Sequence, residues 1–65
     1  MVVSVNGRDE PLPESGTLAA LLRVLSPSTP FAVARNGEFV PRATYAECLL
    51  RPGDQIDIVH PMAGG

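Results

Sequence analysis

The sequence predicts a two-layer α+β domain in which one helix packs against a single mixed sheet of four to five strands. The chain has only 65 residues, enough for one small core, and its 45% hydrophobic and 18% charged content is typical of a folded domain. The hairpin signal Asn-Gly occurs twice, and a single stripe of leucines has helical spacing. A lone helix has to bury its leucine stripe, so we expect it to lie on the apolar face of the sheet.

The first hairpin is indicated at the N-terminus. Val3 and Val5 alternate with polar residues, as in a half-buried strand, and an Asn-Gly pair follows directly. The returning strand is predicted over roughly Arg8 to Leu12. Prolines lie within this segment and just after it, which favours a position at the edge of the sheet because proline cannot donate a ladder hydrogen bond.

One helix is predicted after Thr17, whose hydroxyl can cap the first turn. The leucines that follow fall at i, i+3, i+4 and i+7 on one helical face: Leu18, Leu21, Leu22 and Leu25. The proline-rich segment Ser26 to Pro30 cannot continue this helix and is predicted to be a loop.

A second hairpin is predicted from Phe31 to Arg35, through the other Asn-Gly pair, into a short strand from Glu38 to Val40. Thr44 and Glu47 then have the spacing of a capping box. This spacing predicts about one helical turn, running through Tyr45 and Cys48.

The last strand is predicted from Gln55 to His60, after a tight turn at Arg51 to Asp54. The first and last strands are both rich in valine and isoleucine, as a central pair would be. Two hairpins in one sheet wrapped around one helix form a β-grasp roll. We therefore predict a β-grasp domain over residues 1–60 and a flexible C-terminal tail over residues 61–65.

Composition argues against several classes of function. The formal net charge is −2 and the bases are spread along the chain, so we expect no nucleic acid and no membrane as the main partner. One cysteine and one histidine are too few for a metal site. With no secretory signal and no apolar run of membrane-spanning length, the expected location is cytoplasmic.

The interior of the chain offers no evident catalytic constellation. His60 has no partner that the sequence places beside it, so it is either a contact for a partner protein or an ordinary strand-end residue. Cys48 fits a packing role better than a reactive one. The terminal Gly64-Gly65 differs in kind, because residues without a Cβ can thread a narrow channel and leave a carboxylate unshielded for activation by a partner. Two terminal glycines alone would also fit a frayed end.

Two segments resemble the ThiS family, the sulfur carriers of thiamine biosynthesis, which are ubiquitin-like β-grasp proteins. They are Ala32 to Arg42, and Pro52 to Val59 with the ending Met62-Ala63-Gly64-Gly65. The most specific parts are Val40-Pro41-Arg42, the Gly53-Asp54 turn and the terminal glycines; the N-terminal third matches only in pattern. Arg35 occupies a place where the family often has an apolar residue.

The resemblance implies a cosubstrate and not an enzyme. Gly65 would be adenylated with ATP by an E1-like adenylating enzyme and converted to a thiocarboxylate with sulfur derived from cysteine. Thiazole synthase would then take this sulfur for the thiazole ring of thiamine. Gly64 and Ala63 would thread the tail into the partner, and no cofactor of the protein's own is expected.

The family resemblance also suggests how a partner would hold the domain. The contacts would be the sheet face turned away from the helix, including Val59, together with Met62 in the tail. Arg42 could pair with an acidic partner or form an intramolecular surface salt bridge. Two alternatives stay open: a sulfur carrier for molybdopterin or cysteine synthesis, and a β-grasp interaction module without terminal chemistry.

Overall fold

The computed structural model describes residues 1–61. Its elements follow the predicted order, with one α-helix, one 3₁₀ helix and five strands: β1 (Val2–Val5), β2 (Arg8–Pro11), α1 (Leu18–Leu25), β3 (Ala32–Arg35), β4 (Glu38–Val40), the 3₁₀ helix (Arg42–Glu47) and β5 (Gln55–Val59). The strands form one sheet in the order β2-β1-β5-β3-β4. The predicted α+β class, the central pairing of the first and last strands and the edge position of β2 are confirmed.

The sheet is mixed because β1 and β5 run parallel, whereas the other neighbouring strands are antiparallel. Both Asn-Gly pairs form two-residue hairpin turns. Asn6 and Asn36 have φ angles of 50° and 51°, and the glycine after each has a φ angle of 84°. Positive φ at both central positions is the backbone of a type I′ turn, whose twist matches that of paired strands.

Helix α1 begins as the sequence predicts. The Thr17 side-chain oxygen accepts a hydrogen bond from the Ala20 amide at 3.2 Å, which satisfies one of the free N–H groups of the first turn. Three leucines of the stripe are buried against the sheet, and Leu25 is partly buried at the end of the helix. The core contains Val3, Val5, Leu18, Leu21, Leu22, Val33, Val40, Leu50, Ile56 and Ile58.

The predicted capping box is wrong, although a short helix does form at this place. The 3₁₀ helix starts two positions earlier than Thr44, after Pro41, and has no side-chain cap. Thr44 lies inside it and donates its hydroxyl hydrogen back to the Pro41 carbonyl at 2.8 Å. The Pro41 carbonyl also accepts a hydrogen bond from the backbone N–H of Thr44. This bond spans three residues, as in a 3₁₀ helix, so the first turn closes without a capping side chain.

The predicted ends of three strands are each one residue too long, since β2 ends at Pro11, β3 begins at Ala32 and β5 ends at Val59. Phe31, which the prediction placed in a strand, instead packs its ring on Tyr45 and is partly buried against the core. Cys48 is also partly buried there, as a packing residue would be. No helix within residues 1–61 is long and apolar enough to cross a membrane.

Candidate functional site: the outer sheet face and the root of the tail

The face of the sheet turned away from α1 carries exposed apolar side chains. Along β5, Ile56 and Ile58 are buried and the alternate residues point outward, so Val59 is 57% exposed. Val59 lies opposite Ala32 on β3, and directly opposed residues share a face. Val59 lies on the sheet face where the sequence analysis expected it, and its contact with a partner stays a prediction.

Phe39 is the large residue of this face that the sequence analysis missed. It lies on β4 opposite Ala34, its side chain is 69% exposed, and its neighbour Val40 is buried opposite Val33. A two-residue turn sets the register of β3 and β4. With Val40 assigned to the core, alternation alone would have placed Phe39 outside. We call Ala32, Ala34, Phe39 and Val59 the outer apolar face.

On one side the end of β5 pairs with β3, and on the other side a side chain takes the place of a strand. Beyond the end of β1, the amide group of Asn6 accepts a hydrogen bond from the Ile58 N–H at 2.8 Å and donates one to the Ile58 carbonyl at 3.2 Å. A primary amide has a carbonyl oxygen and an NH₂ group, so it can accept one hydrogen bond and donate another as a peptide group does. Asn6 thus extends the parallel ladder to the last residues before the tail.

Three aromatic rings lie where β5 ends. The Phe31 ring stacks on Tyr45 with a centroid distance of 6.5 Å, and His60 meets the same Phe31 ring edge-on at 6.4 Å. A shallow, mainly apolar hollow beside them is lined by Pro30, Phe31, Ala32, Val59, His60 and Pro61. His60 therefore packs on Phe31 at the root of the tail.

Arg42 does not lie on the outer apolar face with Val59. It lines a separate groove on the helix side of the molecule, together with Tyr45 and Phe31. The groove and the hollow at the root of the tail meet at Pro30 and Phe31, which line both. Within residues 1–61 Arg42 forms no ion pair, so the intramolecular salt bridge considered for it is absent from the described part of the chain.

The turn before β5 is fixed by a buried carboxylate. Asp54 accepts hydrogen bonds from Arg35 Nε at 2.9 Å, from Asn36 Nδ2 at 3.1 Å and from the Arg51 amide at 2.9 Å. Arg35 Nη2 adds an ion-pair contact at 2.9 Å. Arg35 lies in the same alternating row of β3 as buried Val33. Its ion pair with Asp54 compensates the positive charge at this position of the strand.

Opposing effects act on the pKa of Asp54. Burial raises it, whereas the hydrogen bonds from Arg51, Asn36 and Arg35, together with the positive charge of Arg35, lower it and prevail. Asp54 is therefore a structural carboxylate that remains ionised. It joins the start of β5 to the β3–β4 turn.

Within residues 1–61 there is no group of three or more histidine, cysteine, aspartate or glutamate residues that could hold a metal ion. The predicted site residues Met62, Ala63, Gly64 and Gly65 lie outside the described residues. Among the predicted site residues, the structure therefore places Val59 and Arg42, and it puts them in two adjoining surfaces.

The sequence model of the ThiS family matches residues 2–65 of the chain. The chain belongs to the ThiS family. A solved ThiS from Geobacter metallireducens, a thiamine biosynthesis protein, superimposes with a TM-score of 0.82 at 25% identity, covering 100% of both chains. An NMR structure of a thiamine biosynthesis protein from the same organism gives a TM-score of 0.74 at 25% identity, covering 100% of this chain and 88% of the other. These likenesses confirm the β-grasp fold predicted for this ThiS-family chain.

A curated relative of this ThiS-family chain is much longer. A thiazole synthase from Paramagnetospirillum magneticum is 38% identical over 66 residues, which cover 100% of this chain and 20% of the relative. The chain thus spans about a fifth of the length of the curated relative that it matches.

Proposed function

We propose that this chain is the sulfur carrier of thiamine thiazole formation and that the carboxylate of Gly65 carries the sulfur. The observation that supports this most directly is the family match, which runs through the terminal Gly64-Gly65. The fold is consistent with it, because β5 is anchored on both sides and leads directly into the segment that bears those glycines.

The chemistry proposed for Gly65 has two steps. Its carboxylate oxygen attacks the α-phosphorus of ATP in the site of an E1-like adenylating enzyme, and pyrophosphate leaves. A sulfide equivalent derived from cysteine then adds to the acyl carbon and displaces AMP, which leaves a thiocarboxylate. The domain itself supplies no catalytic group to these steps and acts as a cosubstrate.

The partners proposed are the E1-like enzyme, which requires ATP, and thiazole synthase, which takes the sulfur. Support for the second comes from the thiazole synthase relative, since one polypeptide of that name includes a segment similar to the whole of this chain. The outer apolar face is the proposed binding surface for these partners, because a partner must hold the domain while Ala63 and Gly64 enter its channel.

Intact-mass measurement tests the chemistry. The purified chain is incubated with an E1-like enzyme, ATP and a cysteine-derived sulfur source, and the expected product gains the mass difference between sulfur and oxygen. Fragmentation should place the gain on Gly65. A variant lacking Gly65 should unfold at the same temperature as the parent chain and gain nothing, whereas sulfur uptake by that variant would exclude the terminus as the site.

The choice of pathway is tested by capture. Thiazole synthase should be recovered with the carrier, and recovery of a molybdopterin synthase large subunit in its place would overturn the proposed pathway. If a competent E1-like enzyme produced no mass gain at all, the chain would have to be a β-grasp interaction module.

Partner binding to the outer apolar face is tested with matched substitutions. Phe39 and Val24 are 69% and 72% exposed, but Val24 lies on α1, on the opposite side of the sheet. We expect Phe39→Ser to weaken binding of thiazole synthase by about 10- to 30-fold, as for an aromatic anchor at an interface, and Val24→Ser to leave it unchanged. Equal effects of the two substitutions on thiazole synthase binding would exclude the outer apolar face as the binding surface.

A further inference from the structure

A second binding surface lies on the helix side of the domain. The groove that contains Arg42 is bounded by α1, the loop before β3 and the 3₁₀ helix, and has a volume of about 570 Å³. This volume is within the range of sites that bind a small ligand or a few side chains of a peptide. We call it the arginine groove, since Arg23 on α1 and Arg42 on the 3₁₀ helix both line it.

The charge of the arginine groove is opposite to that of the chain. The formal net charge of the protein is −2, yet the residues lining the groove include two arginines and no acidic residue. Arg23 and Arg42 are both exposed, and the ion pair found within residues 1–61 joins Arg35 to Asp54 elsewhere. Two guanidinium groups are therefore available to carboxylates of a bound molecule.

Between the arginines the groove is apolar. Buried Leu22 contributes to it, and so do the Phe31 and Tyr45 rings, which are stacked within 9° of parallel. Pro27 and Pro30 form the wall toward the loop. Such a surface favours an apolar side chain of the ligand, flanked by negative charge.

A polypeptide fits this arrangement better than a phosphate compound does. The α1 residues that line the groove run from Ala19 to the C-cap Ser26, and Leu22, Arg23 and Ser26 lie toward the C-terminal end of the helix. Phosphate groups in proteins favour the opposite end of a helix, where N–H groups point outward. A carboxylate of a peptide carries less charge than a phosphate group. A neighbouring residue of the same peptide can also supply the apolar side chain that the groove favours.

We propose that the arginine groove docks an acidic segment of a partner protein, in which one or two carboxylates flank an aromatic or aliphatic side chain. The carboxylates pair with Arg23 and Arg42, and the apolar side chain packs on Phe31 and Tyr45. The groove meets the hollow at the root of the tail at Pro30 and Phe31. One partner can therefore hold the tail root and reach the groove, which gives the proposed sulfur-transfer partner a second point of contact.

Peptide binding tests this docking without any sulfur chemistry, so its failure is distinguishable from failure of the proposed function. The probe is the blocked tetrapeptide Glu-Leu-Asp-Phe, titrated into the ¹⁵N-labelled full chain, with Lys-Leu-Lys-Phe and Gln-Leu-Asn-Phe as matched controls. Saturable shifts are expected at the amides of Arg23, Arg42 and Tyr45, with a dissociation constant of about 1 mM, weakened by added salt.

The double variant Arg23→Glu/Arg42→Glu should weaken binding of the acidic peptide by at least about tenfold. Arg8→Glu/Arg51→Glu makes the same change of charge at exposed positions outside the groove and should bind like the parent chain. Unchanged spectra away from the substituted positions verify the fold of both variants.

Three results would overturn the docking proposal. The first is equal binding of the lysine peptide, and the second is a set of shifts confined to the outer apolar face. The third is saturation of the groove amides by inorganic phosphate or ATP without any response to the acidic peptide, which would make the groove a phosphate site. Reduced capture of thiazole synthase by the Arg23→Glu/Arg42→Glu variant, with capture by Arg8→Glu/Arg51→Glu intact, would further support the proposal.

Discussion

Replacing Asp54 with alanine should destabilise the domain more than any other single loss of a polar side chain in the described residues. The carboxylate accepts hydrogen bonds from Arg35, Asn36 and the Arg51 amide, and pairs with the Arg35 guanidinium at 2.9 Å. Its side chain is only 12% exposed, so water does not substitute for these partners in the folded chain.

The magnitude follows from what each donor can do after the substitution. Hydrogen bonds to a charged acceptor contribute about 1.5–3 kcal/mol each, so three of them set an upper limit of about 5–9 kcal/mol. Arg35 is 29% exposed and Asn36 is exposed, so both can turn toward solvent and recover part of this. We therefore expect Asp54→Ala to lower the free energy of unfolding by about 2–4 kcal/mol, which in a domain of this size lowers Tm by about 10–30 °C.

Acidification should narrow the difference between the parent chain and Asp54→Ala. The pKa of Asp54 in the folded chain lies below its unfolded value of about 3.9, so the carboxylate stabilises the fold above that pH. This contribution is lost as the pH falls through the folded pKa. Urea unfolding followed by circular dichroism from pH 7 to pH 2 should show the two curves of stability converging at the acidic end.

Asp57→Ala is the matched control, since Asp57 is an exposed aspartate three residues further on, in β5, and makes no side-chain hydrogen bond within residues 1–61. It should change the free energy of unfolding by no more than about 0.5 kcal/mol. A loss below about 1 kcal/mol for Asp54→Ala, or a loss that is independent of pH, would refute the structural role assigned to this carboxylate.

Other substitutions probe the helix, its cap and the end of β5. Leu21→Ala should cost about 2–5 kcal/mol in urea unfolding because Leu21 is 1% exposed, whereas Val24→Ala on the solvent side of α1 should cost little. Thr17→Ala should cost about 1 kcal/mol by the same measurement, because the first turn loses its side-chain acceptor; no loss would contradict the cap. Asn6→Gly keeps the positive φ of the turn but removes the amide, so hydrogen exchange at the Ile58 amide should become about tenfold faster. Unchanged exchange would show that the Asn6 side chain does not hold β5.

Most features predicted correctly from the sequence depend on interactions between residues close together in the chain; the pairing of β1 with β5 is the exception, predicted from the valine and isoleucine content of both strands. An Asn-Gly pair forms a type I′ turn because asparagine and glycine tolerate positive φ, and Thr17 caps α1 through an amide three residues away. The alternation in β5 identified Ile56 and Ile58 as core residues for the same kind of reason. The capping box failed because Pro41, just upstream, starts the 3₁₀ helix before Thr44 is reached.

The side-chain contacts that hold β5 and the turn before it join distant parts of the chain. Asn6 and Ile58 are separated by 52 positions, and their hydrogen bonds exist only because β1 and β5 lie side by side. Arg35 could be recognised as unusual in its strand, but its partner Asp54 lies 19 positions further on. Phe39 was within reach of the sequence, since the hairpin register and the burial of Val40 together imply that it points outward.

Hydrophobic periodicity, turn residues and short motifs are local properties of the chain, so the fold class, the order of the elements and the family resemblance could be predicted from them. Only the tertiary structure separated Val59 from Arg42, which the sequence analysis had grouped as partner contacts. Val59 faces outward from the sheet, whereas Arg42 joins Arg23 across a groove on the helix side. The packing of α1 and the 3₁₀ helix around Phe31 and Tyr45 creates that groove, and such packing is a property of the assembled domain.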